Sequence, residues 1–374
     1  MAELLKDIYN GNFLRHFSQQ IHDVYGAFDR SGFITTVMDN TWEGLALKAR
    51  MRRITEALGK YLPGRYEEAM DVLFAIDEDC IGFPYLFFPD FVAVFGRGEE
   101  HWDLSMQALE RFTMESSAEF AVRPFLMENP KKMMRQMEEW AKHPNEHVRR
   151  LASEGCRPRL PWCEALSLFK RDPAPVLRVL ELLKADPSLY VRKSVSNNLN
   201  DIAKDHPAVV METVRRWKGV SLDTDWIVRQ GCRTLIRKAH PEAMALFGYA
   251  EPVGAASLTT HASLSVQPPT LSIGGSCELG YELCIQEGRP LHIRIEYAID
   301  FVKSRGNTSR KIFLLSDKTV PGGTHLGATR THRWLDLTTR RHYPGEHKIT
   351  LLVNGREAAD AVLQLEAATK DNTM

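Results

Sequence analysis

The sequence has no excess of charge of either sign. Its 48 Lys and Arg are matched by 48 Asp and Glu, leaving the chain neutral at pH 7. Attraction to a charged partner must therefore come from where charges lie, not from their sum. No apolar run approaches the roughly 20 residues of a membrane span. The opening Met1-Ala2-Glu3-Leu4-Leu5-Lys6-Asp7 lacks the apolar core of a secretory signal, so a cytoplasmic protein with no membrane partner is expected. Cys80, Cys156, Cys163, Cys232, Cys277 and Cys284 form no CxxC pair, which excludes a zinc ribbon and a thioredoxin-type site and leaves six reduced thiols as the expectation. HExxH, EF-hand, P-loop and GxGxxG patterns are all missing, so no metal and no cofactor is expected. What remains is ordinary for a soluble globular protein: 374 residues, 44% hydrophobic and 26% charged, a length that suggests two or three domains.

The chain has two compositional halves. Up to about residue 248, apolar residues recur at three- and four-residue spacing, the mark of amphipathic helices. Met133, Met134, Met137 and Trp140 show it, as do Val176, Leu177, Val179, Leu180 and Leu183. From Gly248 to Ala262 the composition is that of a linker, rich in Gly, Ala, Ser, Thr and Pro. Beyond it Leu291-His292-Ile293-Arg294-Ile295-Glu296-Tyr297 alternates apolar with polar, and His347 to Val353 runs into Asn354-Gly355, a strong hairpin signal. The expected fold is α+β multidomain: an all-α HEAT-like helical-repeat solenoid over residues 1–250, a linker over 251–262, and a small all-β immunoglobulin-like sandwich over 263–374. The Cys…Trp…Cys hallmark of antibody domains is missing, so only the architecture is inferred.

The helical half repeats itself. His143-Pro144-Asn145-Glu146-His147-Val148-Arg149-Arg150-Leu151 is followed about 43 residues later by Asp186-Pro187-Ser188-Leu189-Tyr190-Val191-Arg192-Lys193-Ser194, and more loosely by Asp225-Trp226-Ile227-Val228-Arg229-Gln230. A period near 40 residues fits helix pairs that bury their apolar faces only by stacking. With each valine packed inward, Arg149, Arg150, Arg192, Lys193 and Arg229 should form a basic ladder, joined by Arg157, Arg159, Arg233, Arg237 and Lys238. Cations on successive rungs suit a phosphate backbone; a merely solvated helix surface is the plainer alternative. Between Phe301 and Thr350 ten basic residues face three acidic ones, a local charge of +7. Arg330, Arg333, Arg340 and Arg341 lie there among His332, Trp334, His342 and Tyr343, a mixture found on nucleic-acid surfaces.

Two long tracts carry a resemblance. His143 to Leu151 continues as Ala152-Ser153-Glu154-Gly155-Cys156-Arg157-Pro158-Arg159-Leu160-Pro161-Trp162, and Tyr190-Val191-Arg192-Lys193-Ser194-Val195-Ser196-Asn197-Asn198-Leu199-Asn200-Asp201-Ile202-Ala203-Lys204-Asp205-His206-Pro207 follows in the next repeat. Both resemble the AlkC family of DNA-alkylation-repair glycosylases, and the similarity extends over the helical half. A subset of that family carries an immunoglobulin-like C-terminal domain. The resemblance implies hydrolysis of the N-glycosidic bond of cationic alkylated bases (3-methyladenine, 3-methylcytosine, 1-methyladenine) in double-stranded DNA, without flipping the base into a pocket. It also implies catalytic roles for Glu119, Glu154, Trp162 and Asp201.

A methylated base bearing positive charge leaves without protonation. What the reaction needs is a carboxylate to stabilise charge developing on the deoxyribose and another to activate water. Glu154 and Asp201 follow the valines of adjacent repeats by six and ten residues, about one helical turn apart in register, so both can face one site. The bland alternative for each is a salt bridge to a neighbouring arginine. Pro158 and Pro161 should end the Glu154 helix and present Trp162 at a turn, where its indole can meet the sugar or the cationic base; otherwise Trp162 packs in the core with Leu166 and Phe169. Asn197 is a further candidate phosphate contact, or a local cap. The rival functions are a DNA-binding repeat protein without catalysis and a protein-binding HEAT scaffold. A glycosidase acting on sugars would also use paired carboxylates, but lacks support from a sugar-binding aromatic cluster. A monomer, associated with the nucleoid when bound to DNA, is expected.

Overall fold

The computed structural model describes residues 5–250, 258–337 and 340–368. The chain divides into two compact units, Met1–Gly231 and Cys232–Met374.

The first unit is helical. Its N-terminal part holds α1 (Gly11–Val24), α2 (Arg30–Val37), α3 (Leu47–Tyr61), α4 (Tyr66–Phe74), α5 (Phe87–Phe95), α6 (Trp102–Glu115) and α7 (Val122–Glu128). They close around buried aromatics: the Phe17 and Phe87 rings lie 4.8 Å apart, edge to face. The repeats follow as α8 (Pro130–Trp140), α9 (Glu146–Gly155), α10 (Ser167–Arg171), α11 (Ala174–Leu183), α12 (Leu189–Ile202), α13 (Pro207–Trp217) and α14 (Leu222–Gly231). Most of the apolar residues expected to face inward do so: Met133, Met134, Met137 and Trp140 of α8 are buried, as are Val176, Val179, Leu180 and Leu183 of α11, while Leu177 is half-buried.

Equivalent helices start alike. Asn145 accepts from the His147 amide and Ser188 from the Tyr190 amide, capping α9 and α12 directly after Pro144 and Pro187. The helices α9, α12 and α14 pack side by side. At the end of α9, a Cβ on Gly155 would come within 2.5 Å of Val122 Cγ2, so glycine is what lets α9 approach α7.

The second unit begins with α15 (Arg233–Arg237) and α16 (Pro241–Leu246), which belong by their contacts to the strand-rich part rather than to the repeats. The compact division thus falls at Gly231, before the residue-250 limit read from composition. The Tyr249 hydroxyl donates to Asp317 at 2.9 Å and the Ala250 amide to the His292 carbonyl at 3.0 Å, tying this segment to the strands. Most of the expected linker, residues 251–257, lies outside the described residues. Its last part is not linker: β1 (Thr259–Gln267) already pairs with β3 (Ser276–Ile285), Thr259 opposite Ile285.

With β2 (Thr270–Ser272), β4 (Leu291–Val302), β5 (Thr308–Val320), β6 (His325–Arg333), β7 (Gly345–Val353) and β8 (Arg356–Glu366), the strands form two sheets, β1-β3-β6 and β2-β8-β7-β4-β5. Asn354 and Gly355 turn β7 into β8 with φ of 48° and 78°, the positive angles that the Asn-Gly pair supplies. Between the sheets Trp334 is fully buried and its Nε1–H donates to Cys277 Sγ at 3.3 Å, a thiol contact in place of the antibody disulfide. All six cysteines are free. Glu296 keeps the alternation, since Ile295 and Tyr297 on either side of it pack between the sheets, yet it is buried rather than solvated, and Arg294 meets it at 2.7 Å.

Candidate active site

The three expected carboxylates stand in one row of alternating charge. Arg150 on α9 donates to Glu119 at 2.6 Å and lies 3.8 Å from Glu154. Arg157, just past the end of α9, donates through Nη1 to Glu154 Oε1 at 2.6 Å and through Nε to Asp201 Oδ2 at 2.9 Å. Lys204 closes the row on Asp201 Oδ1 at 2.9 Å. Three carboxylates alternate with three cations, so the row is neutral although its centre is buried: Glu154 is 5% exposed, Asp201 2% and Arg157 7%. Burial alone would lower the Arg157 pKa, but Glu154 and Asp201 outweigh it and raise it.

Local structure explains the convergence. On α12 the residues Tyr190, Ser194, Asn198 and Asp201 follow at helical spacing and form a stripe along the α9 side. The Ser194 hydroxyl donates to Glu154 Oε2 at 2.6 Å, and Asn198 donates to the Ser153 carbonyl at 2.8 Å, fastening the two helices where the carboxylates sit. Glu154 and Asp201 are therefore brought together, and the salt bridge that was the alternative reading is formed with them. Ser194 and Lys204 lie close to Asp201 in the chain, and their spacing from it is visible in the sequence, but their partners are not.

Trp162 sits on the loop leaving α9, 62% exposed and with φ of 64°. The turn reading holds, and the core reading fails, since Leu166 and Phe169 are buried without it. A tryptophan in the left-handed region is strained, and two cations hold the loop there. Lys48 of α3 donates to the Trp162 carbonyl at 2.9 Å. Arg123 of α7, itself buried, donates to the carbonyls of Gly155, Arg157 and Glu164. Neither was singled out in the sequence, because the bonds run to backbone groups dozens of residues away.

The basic ladder divides. Arg149 and Arg192 turn back onto their own repeats: Arg149 donates to the carbonyls of His143 and Pro144 and pairs with Asp186, while Arg192 donates to those of Asp186 and Pro187 and pairs with Asp223. Each thus closes its loop and reaches the next repeat, a framework role in place of the expected phosphate contact. Arg150 and Arg157 are consumed by the carboxylate row, and Arg159 pairs with Asp205 at 2.6 Å. Lys193 stays exposed, while Asn197, Arg229 and Arg233 are half-buried. In the second unit Arg330 and Arg333 are exposed on β6, an outer strand, and Arg341 is exposed nearby. Arg340 instead lies over the Phe301 ring at 4.9 Å. Among the described residues no group of His, Cys, Asp and Glu has the arrangement to hold a metal, and no helix is long and apolar enough to cross a membrane.

A helical unit followed by a β-sandwich is a combination that known proteins share. Residues 100–239 match the family described as DNA alkylation repair enzyme, and residues 260–367 match the C-terminal Ig-like domain of the uncharacterised protein YhaZ. The chain is 43% identical over 355 residues to the uncharacterized protein YhaZ of Bacillus subtilis (strain 168), covering 95% of this chain and 97% of that one. It is also similar to the solved structure of Pseudomonas fluorescens alkylpurine DNA glycosylase AlkC bound to DNA containing an abasic site analog, with 37% identity, a TM-score of 0.91 and coverage of 98% of this chain and 100% of that one. The chain belongs to the AlkC family of DNA alkylation repair glycosylases, in the group with an immunoglobulin-like C-terminal domain.

Proposed function

We propose that the protein is a DNA glycosylase that hydrolyses the N-glycosidic bond of cationic alkylated bases, 3-methyladenine, 3-methylcytosine and 1-methyladenine, in duplex DNA. It acts in base excision repair, as a cytoplasmic monomer on nucleoid DNA, without extruding the base. The observation that carries this reading is the row Glu119, Glu154 and Asp201, set on adjacent elements with Trp162 exposed on the loop that follows. The AlkC relative, an alkylpurine glycosylase bound to abasic-site DNA, supports the same ligand class here.

The chemistry follows from the charges. When the bond from deoxyribose C1′ to the base nitrogen breaks, its electron pair leaves with the cationic base, which departs neutral and needs no proton. Positive charge develops on the sugar and is stabilised by a carboxylate fixed beforehand. Water then bonds to C1′ and gives its proton to a second carboxylate. Glu154 and Asp201 take these tasks, with Glu119 in support. Arg157 and Ser194 aim the two acids. A carboxylate has about four lone-pair directions, and the Arg157 and Lys204 bonds to Asp201 leave room for one more donor, such as the attacking water. Trp162 packs on the sugar or the cationic base.

The test is base release from methylated duplex DNA by wild type and Asp201→Asn, scored as strand cleavage at the abasic sites. Release by wild type and a loss of two or more orders of magnitude in the variant, with DNA binding retained, is the expected result; general-base removal costs about 10²–10⁴-fold. A second reading, a DNA-binding protein without catalysis, draws on the near-complete burial of Asp201 and the engagement of both its oxygens. It requires binding with no release from any methylated base.

A further inference from the structure

Tyr190 is an aromatic side chain left 40% exposed at the edge of the carboxylate row. It opens the α12 stripe that continues through Ser194 to Asp201, so it stands about 16 Å along the helix axis from Asp201 at about 1.5 Å per residue. The Arg150 guanidinium lies over its ring, 4.7 Å from the centroid. The His147 ring meets it edge to face at 5.4 Å. The same Arg150 holds Glu119 and approaches Glu154, so Tyr190 is fastened to the end of the row opposite Asp201 and Lys204. Its hydroxyl has no hydrogen-bond partner among the described residues. A ring clamped in this way and still open to solvent is a rigid contact surface that loses little entropy when something binds.

We propose that Tyr190 is a second DNA-contacting aromatic, which packs its open face on a sugar or base flanking the nucleotide held at Asp201 and Trp162. This rests on the glycosylase reading for the position of the DNA. Glu119 and Glu154 beside the ring repel phosphate, so the group it meets is the sugar or base rather than the backbone anion. The offset of about 16 Å from Asp201 is several times the spacing of about 3.4 Å between stacked bases, so Tyr190 does not face the nucleotide held at Asp201. It meets a flanking nucleotide or the opposite strand, and the duplex lies along the row rather than at one end of it.

The experiment compares Tyr190→Ala and Tyr190→Phe with wild type on duplexes containing an abasic-site analogue and a fluorescent base analogue at positions flanking it. Affinity, fluorescence change and single-turnover base release at saturating DNA are measured for each. Tyr190→Ala should bind about tenfold more weakly, as expected for loss of one aromatic–base contact. It should also lose the fluorescence change at one flanking position, while Tyr190→Phe stays near wild type in both. A Tyr190→Ala variant with unchanged affinity and fluorescence overturns the proposal, even if wild type releases bases normally. So does a variant that loses only the saturated rate, since the ring then acts solely by steadying Arg150. A Tyr190→Phe variant as weak as Tyr190→Ala also overturns it. Weakened binding by Tyr190→Ala, in a wild type that releases no base, keeps the contact and rejects the glycosylase reading.

Discussion

Glu154 and Asp201, from adjacent repeats, are joined through one guanidinium: Arg157 donates to Glu154 at 2.6 Å and to Asp201 at 2.9 Å. The two acids can lie together, nearly out of water, only because this shared cation, with Ser194 and Lys204, offsets their repulsion and desolvation. Arg157 thus fixes the positions of both carboxylates and is itself buried.

Removing that cation should cost more than removing any exposed arginine. Arg157→Met leaves two buried carboxylates without their common partner, and breaking a buried pair costs about 3–5 kcal/mol. Thermal unfolding should show a fall in Tm well beyond that of Lys193→Met, whose side chain is exposed. Equal, small shifts in both variants would mean that the row contributes little to holding the repeats together.

Trp162 should matter to the reaction and hardly at all to folding. Trp162→Gly removes an exposed indole and relieves a left-handed backbone that costs a non-glycine residue about 1 kcal/mol or more. Stability by urea titration should be unchanged or slightly raised. Base release should fall about thirtyfold, the size of a desolvated cation–π contact of about 2 kcal/mol. Marked destabilisation would return Trp162 to a packing role.

The β-sandwich should weaken in mild acid. His332 is buried, with its ring Nδ1 3.0 Å from the Tyr297 hydroxyl. Burial, followed by the nearby Arg340, His342 and Arg330 charges, pushes its pKa down from 6.5 to about 4. Between these values the unfolded chain binds the proton and the folded one does not. Stability is therefore full above about pH 6.5, declines as pH falls, and levels off below about 4, a loss of about 3 kcal/mol from this group. Urea titrations at pH 7 and pH 4.5, followed through Trp334 fluorescence, should show the decline in wild type and a smaller one in His332→Phe.

The exposed cations of the second unit should set part of the salt dependence of DNA binding. Each phosphate contact adds about 0.9 to the slope of log affinity against log salt. Replacing Arg330, Arg333 and Arg341 by alanine should flatten that slope by up to about 3 and weaken binding to all sequences alike. An unchanged slope would remove this surface from the DNA interface.

Much of the architecture was open to reading in the sequence, because it rests on local patterns. The spacing of Met133, Met137 and Trp140 buries one face of α8 whatever lies opposite. The Asn354-Gly355 pair makes its turn from its own backbone freedom, and the recurrence of Val-Arg after a proline announces a stacked repeat. The convergence of Glu154 and Asp201 also followed from register along equivalent helices. What the sequence could not decide is which way each arginine turns. Arg149, Arg150, Arg157 and Arg192 look alike as letters, yet two close loops within the framework and two sit inside the carboxylate row. Glu296 likewise alternates as an outward residue and is buried all the same, against Arg294. The direction of a long charged side chain depends on partners dozens of residues away, as Asp201 is from Arg157. Such partners are selected by Coulomb energy and desolvation at distances of a few ångströms, which exist only once the chain has packed.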